Sequence, residues 1–522
     1  MNWKELIDEN GKAVIPDGVS AIEKFAFSEC TDLTGIVIPS SVETIGEEAF
    51  SGCTGLTGVE IPGSVKEIGD FAFWCCVGLT SIKIPNSVTK IGQMAFGECS
   101  GITSIEIPDS VIEIGSNAFF GCSSVESISV SPDNLAYSSS NNCLLSKDGT
   151  TLIRGCNTSV IPPGVKKIEW NAFKDCAGLS SIDIPDSVED IPDVSVFEGC
   201  TSLSSISVSK DNKKFSSSNN CLLSKDGKEL ILGCKTSTIP VGVKEIGYHA
   251  FEGCTDLTSI EIPEGVTKIY NQAFSFCTGL TSITIPGSVT GLRNAFLGCT
   301  GLTSVIIADG VTEIGDGAFW DCSGVTSVEI PNSVKMIGDD AFCACTGLTS
   351  ITIPGSVTEI GYAAFSACFG LTSIAVSKEN KRYDSRDDCN AIIETKTNTL
   401  ISGCLNSRIP ETVTVIGMRA FSGCTGLTGI TIPGSVTRID DNAFSGCIGL
   451  TSITIPSNVT KIGYSAFSGC TGLTSIEIPS SVTKIGDAAF DGCTGLTSVR
   501  IKNPNLLKRT GLGKKVKIFT ED

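Results

Sequence analysis

An Ile-Pro pair returns along this chain at a fixed interval: Ile38, Ile61, Ile84 and Ile107 lie 23 residues apart, as do Ile239, Ile262 and Ile285, and Ile409, Ile432, Ile455 and Ile478. Each interval holds two apolar stretches of different rhythm. The first, such as Leu280 to Ile285, ends in strict alternation, which predicts a short half-buried strand with Ile283 and Ile285 inward and Ser282 and Thr284 outward. The proline that follows has no N–H to give to a ladder, so the strand stops and the chain turns. The second stretch, Val42 to Gly46 with the Ala49-Phe50 pair, then takes the chain back along the opposite side.

Seventeen such copies fall into four blocks: five over 15–129, two over 161–207, six over 239–375 and four over 409–501. One copy is a residue short around Gly291-Leu292-Arg293, and the next has Ala308 where the others have proline. A single copy cannot bury its apolar side, so copies must stack. The expectation is a repeat solenoid, mostly β and coil, with parallel strands.

Three segments depart from the repeat, 130–160, 208–238 and 376–408, and resemble one another. In the first, Leu144-Leu145 and Leu152-Ile153 flank the polar Lys147-Asp148-Gly149, a hairpin signal. We expect three β-hairpin units embedded in one continuous solenoid domain, with the polar turns at Asp133, Asp211 and Glu379 explained by Asx turns. Residues 1–14 should form an N-terminal cap, with Trp3 and Leu6 over the first core. Residues 502–522 should form a C-terminal cap with a last strand at Val516 to Phe519, its Lys502, Lys508, Arg509, Lys514, Lys515 and Lys517 solvated.

The wording I-P-x-S-V-T-x-I-G-x-x-A-F-x-G-C-T-G-L-T-S-I resembles the BspA-like class of leucine-rich repeat proteins, from about residue 15 to residue 501. Cys389 to Thr395 also resembles that family's irregular units. The resemblance implies a right-handed leucine-rich repeat superhelix with a parallel β-sheet on its concave side. It also implies a role in binding proteins at cell surfaces, including adhesion, although fold transfers more safely than ligand.

Composition narrows the chemistry. The 38 Lys and Arg against 57 Asp and Glu give a net charge of −19, so no cationic surface is available for phosphates and no nucleic acid is expected. No apolar run reaches 18 residues, so no membrane insertion is expected either. The single histidine, His249, occupies a position filled elsewhere by Glu48, Asn117, Gln272, Arg419 or Ser465, which reads as solvent-facing. With no second histidine and no nucleophile elbow or phosphate loop, no enzyme and no cofactor are expected. Of the 25 cysteines, seventeen, from Cys30 and Cys53 to Cys470 and Cys493, share one repeat position. They should form a buried, reduced ladder with no zinc site. Cys143 and Cys156, Cys221 and Cys234, and Cys389 and Cys404 flank the hairpin turns and would form disulfides only in an oxidising compartment.

What remains is the outward column of the strands, in which Glu60, Lys83, Glu106, Asp183, Glu261, Glu329, Glu477 and Arg500 alternate with threonines and stand beside small residues. Such a face is expected to bind protein partners with modest affinity, since no large aromatics line it. A second candidate is an aromatic patch including Trp74 or Trp320, with Phe71, Trp170 and Phe369 as further departures. The function expected is a non-enzymatic protein-interaction or adhesion scaffold, monomeric, with a structural or surface-coat element as the alternative and glycan or ice binding by Ser/Thr ladders as a remote one. The resemblance implies a surface or secreted protein, whereas the start at Met1-Asn2-Trp3 lacks the apolar stretch of a signal and allows a cytoplasmic one.

Overall fold

In a computed structural model that describes residues 1–192 and 194–520, the chain forms two compact units, Met1–Thr238 with Glu252–Cys254, and Ile239–Phe251 with Thr255–Asp522. Each unit is a stack of repeats without α-helix among the described residues.

In the first unit the alternating stretch gives parallel strands such as Ser104–Ile107, whose residues pair one repeat on, Ser104 with Ser127 and Ile107 with Val130. The second stretch forms a sheet of its own. Ala21–Ile22, Thr44–Ile45, Glu67–Ile68, Lys90–Ile91 and Glu113–Ile114 make a five-stranded parallel ladder in which every residue pairs with the one 23 positions along. In the second unit Ser282–Ile285, Ser304–Ile307, Ser327–Glu329, Ser350–Ile353 and Ser373–Val376 line up in the same way. The shortened copy stays in phase because Ser282 pairs with Ser304, 22 positions on, and the missing residue is taken out of the loop.

Phenylalanine fills the space between the sheets. Phe27, Phe50, Phe73, Phe96 and Phe119 are buried and stacked nearly parallel, with centroids 5.0–5.6 Å apart. The second unit repeats the stack from Phe251 to Phe365 and from Phe421 to Phe490. The backbone beside each ring is held along the stack: the N–H groups of Phe71, Phe73 and Cys75 donate to the carbonyls of Gln93, Ala95 and Gly97, each at 2.8 Å. That aim requires left-handed backbone at Phe71 and Cys75, with φ of 55° and 60°. His249, φ 56°, holds the Phe71 position and is half-buried rather than solvent-facing. Gly46 serves close packing and not a turn, because a Cβ there would stand 2.7 Å from the carbonyl oxygen of Ile22.

The irregular segments are three-stranded. Tyr137–Ser140 pairs antiparallel with Cys143–Ser146, which pairs antiparallel with Thr151–Arg154, and that strand rejoins the short-strand sheet in parallel at Lys167–Ile168. The extra strand comes from a tight turn at Asn141-Asn142, both left-handed. The Asx turn sits one residue later than expected from Asp133: Asn134 is buried, and its Oδ1 accepts from the N–H groups of Ala136 and Tyr137. Asn212 and Asn380 take the same role in place of Asp211 and Glu379. At the ends, Trp3 is buried edge-on to Phe27, 5.8 Å away, and Lys517–Phe519 adds a last parallel strand to Ser498–Ile501.

Candidate functional site

Alternation along the four-residue strands turns every second side chain outward. Glu60, Lys83, Glu106, Asp183, Glu261, Glu329, Glu477 and Arg500 are all exposed, with inward isoleucine or valine on either side. Where repeats pair in parallel register, equivalent residues face the same way at a strand spacing of roughly 4.8 Å, whereas Glu261 lies outside the assigned strands and bridges. The column is broken into groups. In the first unit Glu60 is bridged to Lys83, and Glu106 pairs with Ser129. Asp183 belongs to the next block, where it accepts a hydrogen bond from the Ser207 hydroxyl. In the second unit Glu329 is in register with exposed Ile306, while Glu477 stands between Thr454 and Arg500.

Arg500 is in turn paired with Phe519, which is 50% exposed. The column of the second unit therefore ends on an aromatic ring, contrary to the expectation that none lines it. Phe519 stands on the capping strand, outside the repeat, so the 23-residue period does not place it in the column.

Trp74 and Trp320 occupy equivalent positions after the buried phenylalanine, one in each unit, and both are exposed. The Trp74 indole lies over Gly97, where a Cβ would meet its Cδ1 at 3.0 Å. Near Trp320 the ring of exposed Phe276 lies over Gly298, whose N–H donates to the Trp320 carbonyl.

Much of the Ser and Thr content is structural. Thr57, Thr80, Thr281, Thr349 and Thr451 each donate Oγ1 to the carbonyl of the threonine one repeat earlier, at 3.1–3.4 Å. Ser64, Ser87 and Ser288 do likewise toward valine carbonyls at 2.6–2.7 Å. These hydroxyl donors are committed to the stack.

The ladder and hairpin cysteines are held as thiols, without disulfide bonds among the described residues. Within the blocks the ladder Sγ donates to a phenylalanine carbonyl of the preceding repeat, as Cys53 to Phe27, Cys76 to Phe50 and Cys99 to Phe73, at 3.0–3.1 Å, whereas Cys30 and Cys176, each the first of its block, donate to the carbonyls of Ser28 and Gly155. The hairpin cysteines are bound apart, Cys143 to the carbonyls of Asn141 and Val160 and Cys156 to that of Asn142. Burial pushes the thiols of Cys53, Cys122 and Cys470 up to about 12. The thiolate is the reactive form. Native protein at pH 8 should therefore leave buried ladder thiols such as Cys53, Cys76 and Cys99 unmodified by iodoacetamide and take label first at half-buried cysteines such as Cys30 and Cys75, as read by peptide mass spectrometry; labelling of Cys53, Cys76 and Cys99 at the rate of the unfolded chain would contradict it. The same shift sets the alkaline limit. A folded thiol held above its ordinary value of 9.0 stabilises in full below that pH, and the contribution is lost as pH rises beyond it.

Among the described residues no group of three His, Cys, Asp or Glu is placed to hold a metal ion, and no helix is long and apolar enough to cross a membrane.

Comparison with known proteins supplies the relatives. The family described as BspA type Leucine rich repeat region matches residues 15–145, 153–225, 231–324, 292–387 and 401–509. Among solved structures, a leucine rich cell surface protein from Faecalibacterium prausnitzii A2-165 is 27% identical, covering 75% of this chain and 96% of its own, with a TM-score of 0.44. A leucine-rich repeat protein from Eubacterium ventriosum ATCC 27560 is 24% identical, covering 74% and 88%, with a TM-score of 0.42. Another from Bacteroides ovatus ATCC 8483 is 23% identical, covering 98% and 92%, with a TM-score of 0.25. No curated protein matches the chain.

Proposed function

Because this chain belongs to the BspA-type leucine-rich repeat family, we propose that it is a non-enzymatic scaffold holding protein partners on the outward column of its four-residue strands, in the manner of an adhesion protein. The observation that carries this reading is the register of the column. The charged residues of the first unit, Glu60, Lys83 and Glu106, project from successive repeats, Glu60 and Lys83 through an isolated parallel bridge and Glu106 from the strand Ser104–Ile107, with buried or half-buried apolar neighbours on both sides. Their order is acidic, basic, acidic. An extended partner with the opposite alternation would be both attracted and set in register, which is what charge complementarity contributes most to. Repeats of this kind present long shallow surfaces, so affinity accumulates over many weak contacts. Phe519 offers the larger apolar contact in the second unit.

Affinity capture from source-cell and matrix extracts tests the reading, comparing the native chain with a Glu60→Ala, Lys83→Ala, Glu106→Ala triple variant. These exposed changes should leave the fold unaltered. Proteins retained by the native chain should be lost from the variant and should also elute as salt is raised to about 0.5 M, where screening shortens to a few ångström. Capture indifferent to both moves the contact away from this column. No specific capture at all favours a structural role for the stack.

A further inference from the structure

The first hairpin interrupts the phenylalanine stack. Phe119 stacks on Phe96, and the next ring pair begins at Phe173 and Phe197. The short-strand sheet is interrupted there too, and the N–H of Ile114 donates instead to the hydroxyl of Tyr137 at 2.8 Å. Between Ile114 and the returning strand Thr151–Arg154 lies a cavity of about 480 Å³, within the range that holds a small ligand. All its walls belong to the first unit.

Arg154 is one of those walls, and only 5% of it is exposed. Its Nη1 donates to the carbonyl of Asn171 at 3.0 Å, whereas its Nη2 is buried with no hydrogen-bond partner. A buried guanidinium with an unspent donor destabilises a fold unless something binds it. Packing does not require it: the equivalent residues of the other two hairpins are Leu232 and Ser402, both buried. Glu169 on the wall is already paired with Lys167 at 3.0 Å, while the Arg154 charge also acts on the carboxyls of Glu98 and Asp175, opposing the upward push of their burial. The Tyr137 hydroxyl, which accepts from Ile114, keeps its own hydrogen to give. Apolar surface comes from Phe120, Leu144, Ile153 and the half-exposed indole of Trp170.

We infer that this cavity is a binding site for a small monocarboxylate with an aromatic or apolar body, its carboxylate taken by Arg154 and Tyr137 and its body by Trp170 and Phe120. With Glu98 and Asp175 already drawing on the charge of Arg154, one further negative charge is accommodated better than two, which favours a carboxylate over a phosphate dianion.

Isothermal titration of the full chain with phenylacetate and indole-3-acetate tests the site, with phenylacetamide as the neutral isostere and inorganic phosphate as the competing anion. The acids should bind and the amide at least about tenfold more weakly. Arg154→Leu, which installs the residue of the second hairpin, should lower acid binding by about tenfold or more while its melting temperature stays at or above that of the native chain. Trp170→Ala, a change at a half-exposed position, should weaken binding several-fold. The assignment is overturned by acids and amide binding equally, by an unaffected Arg154→Leu, by phosphate binding in preference, or by no heat from either acid up to about 10 mM.

Discussion

Phe96→Ala is expected to lower stability by about 3–5 kcal/mol, as large an effect as any single ring in the stack should give. Phe96 is fully buried and lies between Phe73 at 5.3 Å and Phe119 at 5.6 Å. Removing it takes away its own transfer free energy, leaves a cavity that the two flanking rings cannot close, and breaks two stacked contacts worth about 0.5–1.5 kcal/mol each. Because a repeat touches only its neighbours, the loss is local in structure but global in cooperativity: the stack on either side is held together through the interface that the ring occupied. Urea unfolding followed by far-UV circular dichroism should show a lower midpoint and a broadened or divided transition. Phe490→Ala supplies the comparison. It stacks on Phe467 at 5.8 Å and is followed by the C-terminal cap, so it should cost less. Equal losses at the two positions, or a Phe96→Ala loss no larger than that of exposed Trp74→Ala, would contradict the stack as the main carrier of stability.

What could be read from the amino-acid order, and what could not, follows from how each feature repeats. The 23-residue period, the alternating strands, the cysteine position and the blocks between hairpins are written many times over, so chance variation averages out. Trp3 and the strand at Lys517–Phe519 were legible as caps because a stack must end on something apolar. The short-strand sheet was not, since two residues such as Thr44-Ile45 are too few to carry a rhythm. Left-handed backbone was hidden for another reason. Phe71, Met94 and Ala344 all adopt it, although glycine would do so at less cost, because the N–H ladder to the next repeat offsets the steric penalty whatever the side chain. In the exposed column the direction of each residue was legible from alternation, whereas its grouping was not: Asp183 is separated from Glu106 by a hairpin, and Phe519 joins from outside the repeat. Arg154 looked like one more surface charge in a polar hairpin, and only its depth sets it apart.

Asn134 carries the second large effect. Its Nδ2 donates to the carbonyls of Pro108 and Val111 at 2.7 and 2.8 Å, and its Oδ1 accepts from the N–H groups of Ala136 and Tyr137, both at 2.8 Å. All four hydrogen bonds of one fully buried side chain are therefore made, and they tie the last regular repeat of the block to the first strand of the hairpin. Asn134→Leu would leave two carbonyls and two N–H groups without this partner, and is expected to cost about 3–6 kcal/mol given about 1–3 kcal/mol for each group left buried and unsatisfied, with partial relief by water. Asn134→Asp separates the two halves of the interaction. The carboxylate still accepts from Ala136 and Tyr137, yet it turns its second oxygen toward two carbonyl oxygens in a buried site, so its pKa in the folded chain must rise. A folded-state pKa above the unfolded value near 3.9 means that the variant loses least below that pH and progressively more as pH rises through the folded value. The gap in stability between native and Asn134→Asp chains should therefore be narrow at pH 4 and wide at pH 7. Hydrogen exchange should locate the loss in residues 134–160. A gap independent of pH, or exchange raised elsewhere and not in this segment, would mean that the asparagine amide is not what fastens the hairpin to the stack.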